Sequence, residues 1–406
     1  MTDKNINSVK SSCPNKNVCG SCEWSEVTYD EQLKRKLDGI NESFLLAGFS
    51  YKAENIVASP KTSHYRNRMD FVIDYEGRFG MREKGKWWKV IDGHTCFISE
   101  EKIETAFWKC KEWLGTCGLS FLDRKSWKGL LSYIVIRCTK AGELMINVVT
   151  GSDFLEEEAE VISEKLLKLA EMIGCTTLVW SINHTKSDIS FGSEVRIITG
   201  LGFITEEIGG FKYMVTPNSF FQTNSYSAEK LQSLVMNFAK LSGAQNILDL
   251  YCGSGFFTFP LSKLLKTSVG KVLGIEMVEE AVETAKKNIE LNKNFWASAK
   301  NDSEDKNISA RIPEFVCEKS EDLSWKNFPA DLIVFDPPRS GLHNKVLETL
   351  MKNPSKNIIY VSCNYKKFIE ELKILSEKYE LKKSTAIDMF PHTPHVELVS
   401  LLTVKY

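Results

Sequence analysis

Apolar positions in the second half of the chain fall into two alternating patterns. "NILDL", "KVLGIEM", "ADLIVFDPP" and "NIIYVSCN" each contain a short apolar run, as strands buried on both faces do. Between and after them, "VEEAVETAKKNIELN" and "YKKFIEELKILSEKY" space their apolar residues three and four apart, which predicts amphipathic helices. A further helix is predicted over Ser227 to Leu241. Strands alternating with helices predict a doubly wound parallel sheet. The polar stretch "NKNFWASAKNDSEDKNIS" interrupts this rhythm and reads as a surface-loop insertion.

The first half follows another rhythm. Residues 1–24 read as a cysteine-bearing loop, and Glu31 to Leu46 as a helix. From Tyr65 to about Val90, alternation in "MDFVIDYEGRFGM" and glycine-containing turns predict strands. "LSYIVIRCT" and "GELMINVVT" predict a hairpin turning at Ala141-Gly142, and Phe154 to Ile173 predicts an amphipathic helix. "TTLVWSIN" and "RIITGLGFITEEIGGFKYMVTP" are again strand-rich. This half is expected to be mixed and mostly antiparallel.

Composition narrows the class. The chain has 406 residues, room for two domains or one large one, and 43% of them are apolar, so a packed core is expected. No run of 18 uninterrupted apolar residues predicts a membrane span, and the polar stretch Met1 to Lys16 is no secretory signal. A cytoplasmic location follows as the expectation. Eleven cysteines in such a chain point to metal binding or catalysis rather than disulfides. The net charge of −1 gives no general affinity for nucleic acid. Locally, the span Lys61 to Lys89 carries eight Lys/Arg against four Asp/Glu, with Tyr65, Trp87 and Trp88 interleaved. That mixture suits a surface that tracks phosphates and stacks bases.

"DLYCGSG" follows an apolar strand and opens a helix. Its glycines 253 and 255 let backbone approach a ligand closely. With two glycines and no phosphate-binding lysine, it fits neither a dinucleotide fingerprint nor a P-loop. Glu276 ends the next strand, 27 residues after Asp249, where an acid can accept hydrogen bonds from ribose hydroxyls.

Three further segments are expected at the carboxyl ends of the strands, where open α/β sheets bind ligands. "FDPPRSG" carries Asp336 and Arg339, "VSCN" carries Cys363, and "DMFPHTPHVELVSLL" carries Glu397. A cysteine at one strand tip beside an Asp-Pro-Pro tip is a candidate nucleophile. Carbon 5 of uracil is too weak a nucleophile to attack a methyl sulfonium unaided. A thiolate added at carbon 6 makes an enolate whose carbon 5 can attack. A carboxylate must then remove the carbon-5 proton before the thiol leaves. Cys363 and Glu397 supply both groups, and Arg339 can steady charge on the uracil oxygen or bind phosphate. In "NSFFQTN", the aromatic pair could stack on a flipped base and Gln222 could bind cofactor.

Taken together, "SFFQTN", "DLYCGSG", "DPPRSG", "VSCN" and "DMFPHTPHVE", in this order and spacing, resemble the RNA (uracil-5)-methyltransferase family across nearly the whole chain. The resemblance implies S-adenosyl-L-methionine as cofactor, Cys363 as nucleophile and Glu397 as proton acceptor. It implies cofactor contacts from Gln222, Tyr251, Glu276 and Asp336, and places Phe220 and Arg339 near the target base. Phe256 departs from the pattern, since several members carry Asn there.

Cys13, Cys19 and Cys22 read C-x5-C-x2-C, and Cys96 follows 74 residues later. Four thiolates can hold zinc or an iron–sulfur cluster, and spacing does not choose. The resemblance to the family's cluster-bearing branch implies a 4Fe–4S centre. Many members start with an extra β-barrel RNA-binding (TRAM) domain. Here the cysteine motif begins at residue 13, and this, with "SFFQTN", resembles the branch that modifies 23S rRNA at a 747-type loop uridine.

The expected architecture is a Rossmann-like α/β methyltransferase domain over 220–406 and a β-rich α+β iron–sulfur and RNA-binding region over 1–219. By analogy, residues 25–56 are expected to pack with the catalytic domain. The expected partner is RNA, with 23S rRNA ahead of tRNA, and the expected state is a monomer. The rival readings are a tRNA uracil-5 methyltransferase, a cytosine-5 RNA methyltransferase and a non-enzymatic iron–sulfur RNA-binding or redox protein.

Overall fold

The computed structural model describes residues 13, 15–93, 96–265, 270–296 and 312–405. It divides into two compact units. One holds residues up to Thr28, Lys61–Glu207 and Met214–Ser225; the other holds Tyr29–Pro60, Ile208–Tyr213 and Tyr226–Tyr406. The expected loop insertion lies largely outside the described residues, which resume at 312.

The second unit is built on an eight-stranded sheet. Its order is Ile56–Val57, Tyr379–Ile387, Glu397–Val404, Asn357–Ser362, Leu332–Phe335, Asn246–Leu250, Lys271–Glu276 and Glu314–Cys317. All neighbours are parallel except Glu397–Val404, which runs antiparallel to both of its partners. Every residue of Leu332–Phe335 and Asn357–Ser362 is buried, because helices cover both faces of a parallel sheet. Helix Tyr29–Leu46 contributes Ile40 and Phe44 to the same core as Phe368, Ile369 and Leu372 of helix Tyr365–Leu375.

Chain order reverses on either side of Asn246–Leu250, whose neighbours are the strand that follows it and Leu332–Phe335. Such a reversal opens a crevice at the carboxyl ends of the strands. Leu250, Glu276, Phe335 and Ser362 all end there. The antiparallel strand reaches the same edge with its first residue, Glu397.

The first unit is a seven-stranded, mostly antiparallel sheet. Its order is Lys86–Asp92, Phe79–Glu83, Arg68–Ile73, Leu131–Cys138, Leu144–Gly151, Thr177–Asn183 and Glu194–Thr199. The predicted hairpin is present, with Cys138 paired to Leu144. Leu144–Gly151 and Thr177–Asn183 are parallel, so the chain must cross over between them. Helix Ala159–Ile173 makes that crossover and stops at Gly174, which takes the left-handed conformation (φ 71°). The helix starts later than predicted because Glu156–Glu158 form a 3-10 turn. Residues 1–24, expected as loop, include a one-turn helix at Lys16–Cys19. Among the described residues no helix is long and apolar enough to cross a membrane. The chain therefore has the mixed α/β architecture expected, a Rossmann-like sheet and a β-rich unit.

Candidate active site

The glycine loop leaves Leu250 through Tyr251, whose φ of 67° is left-handed and strained for a residue with a side chain. Tyr251 and Cys252 both donate backbone N–H to Ile275 O, which ties the loop to the next strand. Gly255 (φ 91°) has to be glycine, since a Cβ there would lie 2.5 Å from the Phe259 ring. Gly253 donates its N–H to Glu276 Oε2 at 3.1 Å, while Glu276 Oε1 accepts from Met277 and Val278 N–H. Three backbone donors thus orient the Glu276 carboxylate and leave lone pairs for a ligand's hydroxyls.

Asp249 lies beneath this loop, fully buried. Thr258 Oγ1 donates to its Oδ2 at 2.6 Å, whereas Oδ1 has no hydrogen-bond partner. Burial raises its pKa to about 7, and the nearby charges of Asp336 and Glu276 push the same way. An orphaned buried acceptor beside Glu276 suits a ligand rich in N–H and O–H donors. The residues therefore fit S-adenosylmethionine. The sequence reading does not name Asp249 as a site residue; its signal is an acid next to the end of an apolar strand, just before a glycine loop. Phe256 is buried against Tyr213, and its carbonyl accepts from Gln232 Nε2 and Tyr213 OH. The position is thus occupied by packing rather than by a polar side chain.

Asp336, Arg339, Cys363 and Glu397 come together at the same edge of this sheet. Cys363 follows Ser362, which pairs with Leu398, the residue after Glu397. Asn364 caps helix Tyr365–Leu375 and donates from Nδ2 to Arg339 O at 3.1 Å, joining the cysteine turn to the "DPPRSG" turn. Burial raises the Cys363 thiol to about 11; Glu397 and Asp336 push it further up, and Arg339 pulls it down. Glu397 is raised to about 8 by burial and by Asp336, again opposed by Arg339. Asp336 keeps some exposed surface, but the protein around its carboxyl raises it to about 7. In the protein alone, the thiol and the Glu397 carboxyl therefore hold their protons at neutral pH. The cluster is poised for anything that favours the ionised forms, such as a cation bound beside it.

Phe220 and Gln222 belong to the first unit. Arg137, buried there, donates to Thr216 O at 3.0 Å and Ser219 O at 2.7 Å. It thereby fixes the segment before Phe220, whose ring is 79% exposed. Asn67 Nδ2 holds Gln222 O at 3.0 Å. A cleft of about 380 Å³ in the same unit is lined by Arg66, Arg68, Asp70, Arg137, Phe220 and Phe221. Arg68 makes a bidentate pair with Asp70, and Arg66 Nε donates to Arg68 O. Arginines around an exposed aromatic ring are suited to phosphate and base contact.

Cys13, Cys19, Cys22 and Cys96 are also in the first unit, the last two buried. Burial raises Cys22 to about 12, and Cys96, Cys13 and Cys19 add to the shift, so the other three thiols lie within electrostatic reach of Cys22. The donor type is right for a thiolate-bound cation. Among the described residues, however, no group of three or more His, Cys, Asp or Glu is arranged to hold a metal ion.

A family model described as tRNA (Uracil-5-)-methyltransferase matches residues 187–405. An uncharacterized RNA methyltransferase of Caldanaerobacter subterraneus subsp. tengcongensis is 36% identical over 404 residues, covering 97% of this chain and 85% of the relative. A tRNA (uracil(54)-C(5))-methyltransferase of Pyrococcus horikoshii is 34% identical over 387 residues, covering 95% of this chain and 84% of the relative. The crystal structure of Pyrococcus abyssi tRNA (uracil-54, C5)-methyltransferase in complex with S-adenosyl-L-homocysteine is similar with a TM-score of 0.76 at 33% identity, covering 94% of this chain and 86% of that one. The chain belongs to the tRNA (uracil-5-)-methyltransferase family, and is an S-adenosylmethionine-dependent RNA (uracil-5-)-methyltransferase.

Proposed function

We propose that the enzyme methylates a loop uridine of 23S rRNA, of the 747 type, through a covalent bond between Cys363 and uracil. The observation that carries the mechanism is the meeting of Cys363, Glu397, Asp336 and Arg339 at one end of the sheet. Cys363 adds as thiolate to carbon 6, and Arg339 steadies the charge that develops on the uracil oxygen. Carbon 5 takes the methyl, Glu397 removes the carbon-5 proton, and the carbon 6–sulfur bond breaks to release the thiolate. When bound, S-adenosylmethionine supplies the electrophilic methyl and a positive charge that favours ionised neighbours. Tyr251, Glu276 and Asp336 hold that cofactor together with Gln222, and Phe220 stacks near the target base.

The 23S assignment rests on the family resemblance carried by "SFFQTN". A second reading, methylation of tRNA, is favoured by the names of the Pyrococcus relatives. Methylating tRNA and 23S rRNA fragments side by side, followed by nucleoside mass spectrometry, tests both. Faster methylation of tRNA than of any 23S fragment would reverse the order, and 5-methylcytidine in place of 5-methyluridine would overturn the uracil assignment.

We also read Cys13, Cys19, Cys22 and Cys96 as ligands of a 4Fe–4S cluster, supported by four neighbouring thiols in one unit. The same reading places the enzyme in the cytoplasm, where its RNA substrate and reduced thiols coexist, and takes it as a monomer.

A further inference from the structure

Helix Tyr29–Leu46 grips the connection 388–396, which joins the strand Tyr379–Ile387 to the one that begins with Glu397. Ile387 and Glu397 pair across its base, so its geometry bears directly on Glu397. Two residues one helical turn apart make the grip, and that spacing puts them on one face. Lys36 Nζ donates to Asp388 Oδ1 at 2.7 Å and to Phe390 O at 3.1 Å. Gln32 Oε1 accepts the His392 backbone N–H at 2.7 Å, and Gln32 Nε2 lies 3.1 Å from His392 Nδ1. All four side chains are buried.

Inside the connection, Asp388 Oδ1 also accepts from Phe390 N–H, and Thr393 Oγ1 donates to Phe390 O. His392 takes φ 68°, a left-handed conformation that is uncommon for a residue with a side chain, though histidine enters it more readily than most. The Gln32 side-chain amide meets it at both backbone and ring.

Stability alone does not account for this arrangement. A buried ion pair is commonly no more stabilising than a well-packed apolar pair of the same volume. What a charged, hydrogen-bonded clamp adds is direction: it fixes particular backbone atoms at particular distances.

We infer that Gln32 and Lys36 are positioning residues for the methylation reaction, holding the 388–396 connection so that Glu397 meets the carbon-5 proton. The inference rests on the reading of Glu397 as the base. Its consequence is specific. Loosening the clamp impairs proton removal while addition and methyl transfer, which do not use Glu397, still occur.

The test compares Gln32→Met with Glu397→Gln in one assay, using RNA and methyl-labelled S-adenosylmethionine. Gln32→Met is expected to lower kcat about 10- to 100-fold. Its KM for S-adenosylmethionine stays within about twofold of wild type, and a denaturation-resistant RNA–protein band carrying the methyl label accumulates. Gln32→Glu restores most of the turnover, because a carboxylate still accepts the His392 N–H and can pair with the protonated ring. Turnover of Gln32→Met within twofold of wild type overturns the inference. So does a loss of turnover with no labelled band while Glu397→Gln forms one. If Glu397→Gln itself forms no band, the reading of Glu397 as base fails first, and the inference falls with it. Should Gln32→Met not fold, as judged by S-adenosylmethionine binding, His392→Gly takes its place. It keeps the left-handed backbone and its N–H bond to Gln32 but loses the ring contact. A weaker labelled band is expected from it, and none at all overturns the inference.

Discussion

Cys363 follows the last residue of one strand and Glu397 is the first residue of its antiparallel neighbour, each one residue beyond the pair Ser362–Leu398 at the same edge of the sheet. The pairing brings the proposed nucleophile and the proposed base, distant in sequence, to one end of the sheet. The two residues should then fail at different steps. Cys363→Ala is expected to form no covalent RNA adduct, having no substitute nucleophile at carbon 6. Glu397→Gln is expected to add and transfer the methyl, then stall before elimination. Gel analysis with labelled cofactor separates the two outcomes, and a 5-fluorouridine substrate should trap the wild type in the same way. Normal turnover by Cys363→Ala would defeat the mechanism.

Thiol reactivity should report the same neighbourhood. Burial holds Cys363 near 11, with Glu397 and Asp336 adding to the shift and Arg339 opposing it. The thiolate is the reactive form, so alkylation at pH 9 measures its fraction. Glu397→Gln removes a negative neighbour that is ionised at that pH, and should speed alkylation of Cys363 several-fold, on the order of a tenfold gain per unit of pKa. Arg339→Ala should slow it. Equal rates for all three proteins would mean that these charges do not act on the thiol.

Stability should depend on pH through Glu397. Its folded pKa of about 8 lies above the ordinary carboxyl value of 4.5. A raised carboxyl stabilises the fold fully below the unfolded pKa and loses that contribution as pH rises through the folded one. Cofactor-free Glu397→Gln, neutral at every pH, should therefore melt progressively higher than wild type between pH 5 and pH 8, with a plateau above. The gain is on the order of a few kcal/mol. Melting curves at pH 5, 7 and 9 check it; a constant offset across that range would argue against the buried, protonated carboxyl.

Arg66 and Arg68 line the cleft beside Phe220. Replacing both by Ala should weaken RNA binding and flatten its dependence on salt, the slope falling by about one for each phosphate that is no longer neutralised. Filter binding at low and high salt measures this. Unchanged affinity at both would reduce the pair to ordinary surface charges.

The four cysteines lead to a purification experiment. Protein prepared without oxygen should carry iron and inorganic sulfide, and lose both when Cys22 or Cys96 is replaced by Ser. Stoichiometric zinc with no sulfide in the anaerobic protein would exclude the cluster.

Local chemistry was legible along the chain because it is carried by adjacent residues. A glycine loop after an apolar strand, an acid ending the next strand, and a cysteine at a strand tip each announce themselves within a few positions. The alternating strands and helices of the second half, and the hairpin at Ala141-Gly142, were readable for the same reason. Tertiary structure decided what no window of sequence contains. Glu397 reaches the carboxyl edge because its strand runs against its parallel neighbours, and direction within a sheet depends on the whole topology. Asp249 stands in sequence just before the glycine loop, but only folding buries it and leaves its Oδ1 without a partner. Gln32 and Lys36 look like solvent-facing positions of an amphipathic helix, yet they are buried against residues 388–392. Periodicity says which residues share a face. What that face meets, more than 350 residues along the chain, is set by long-range packing.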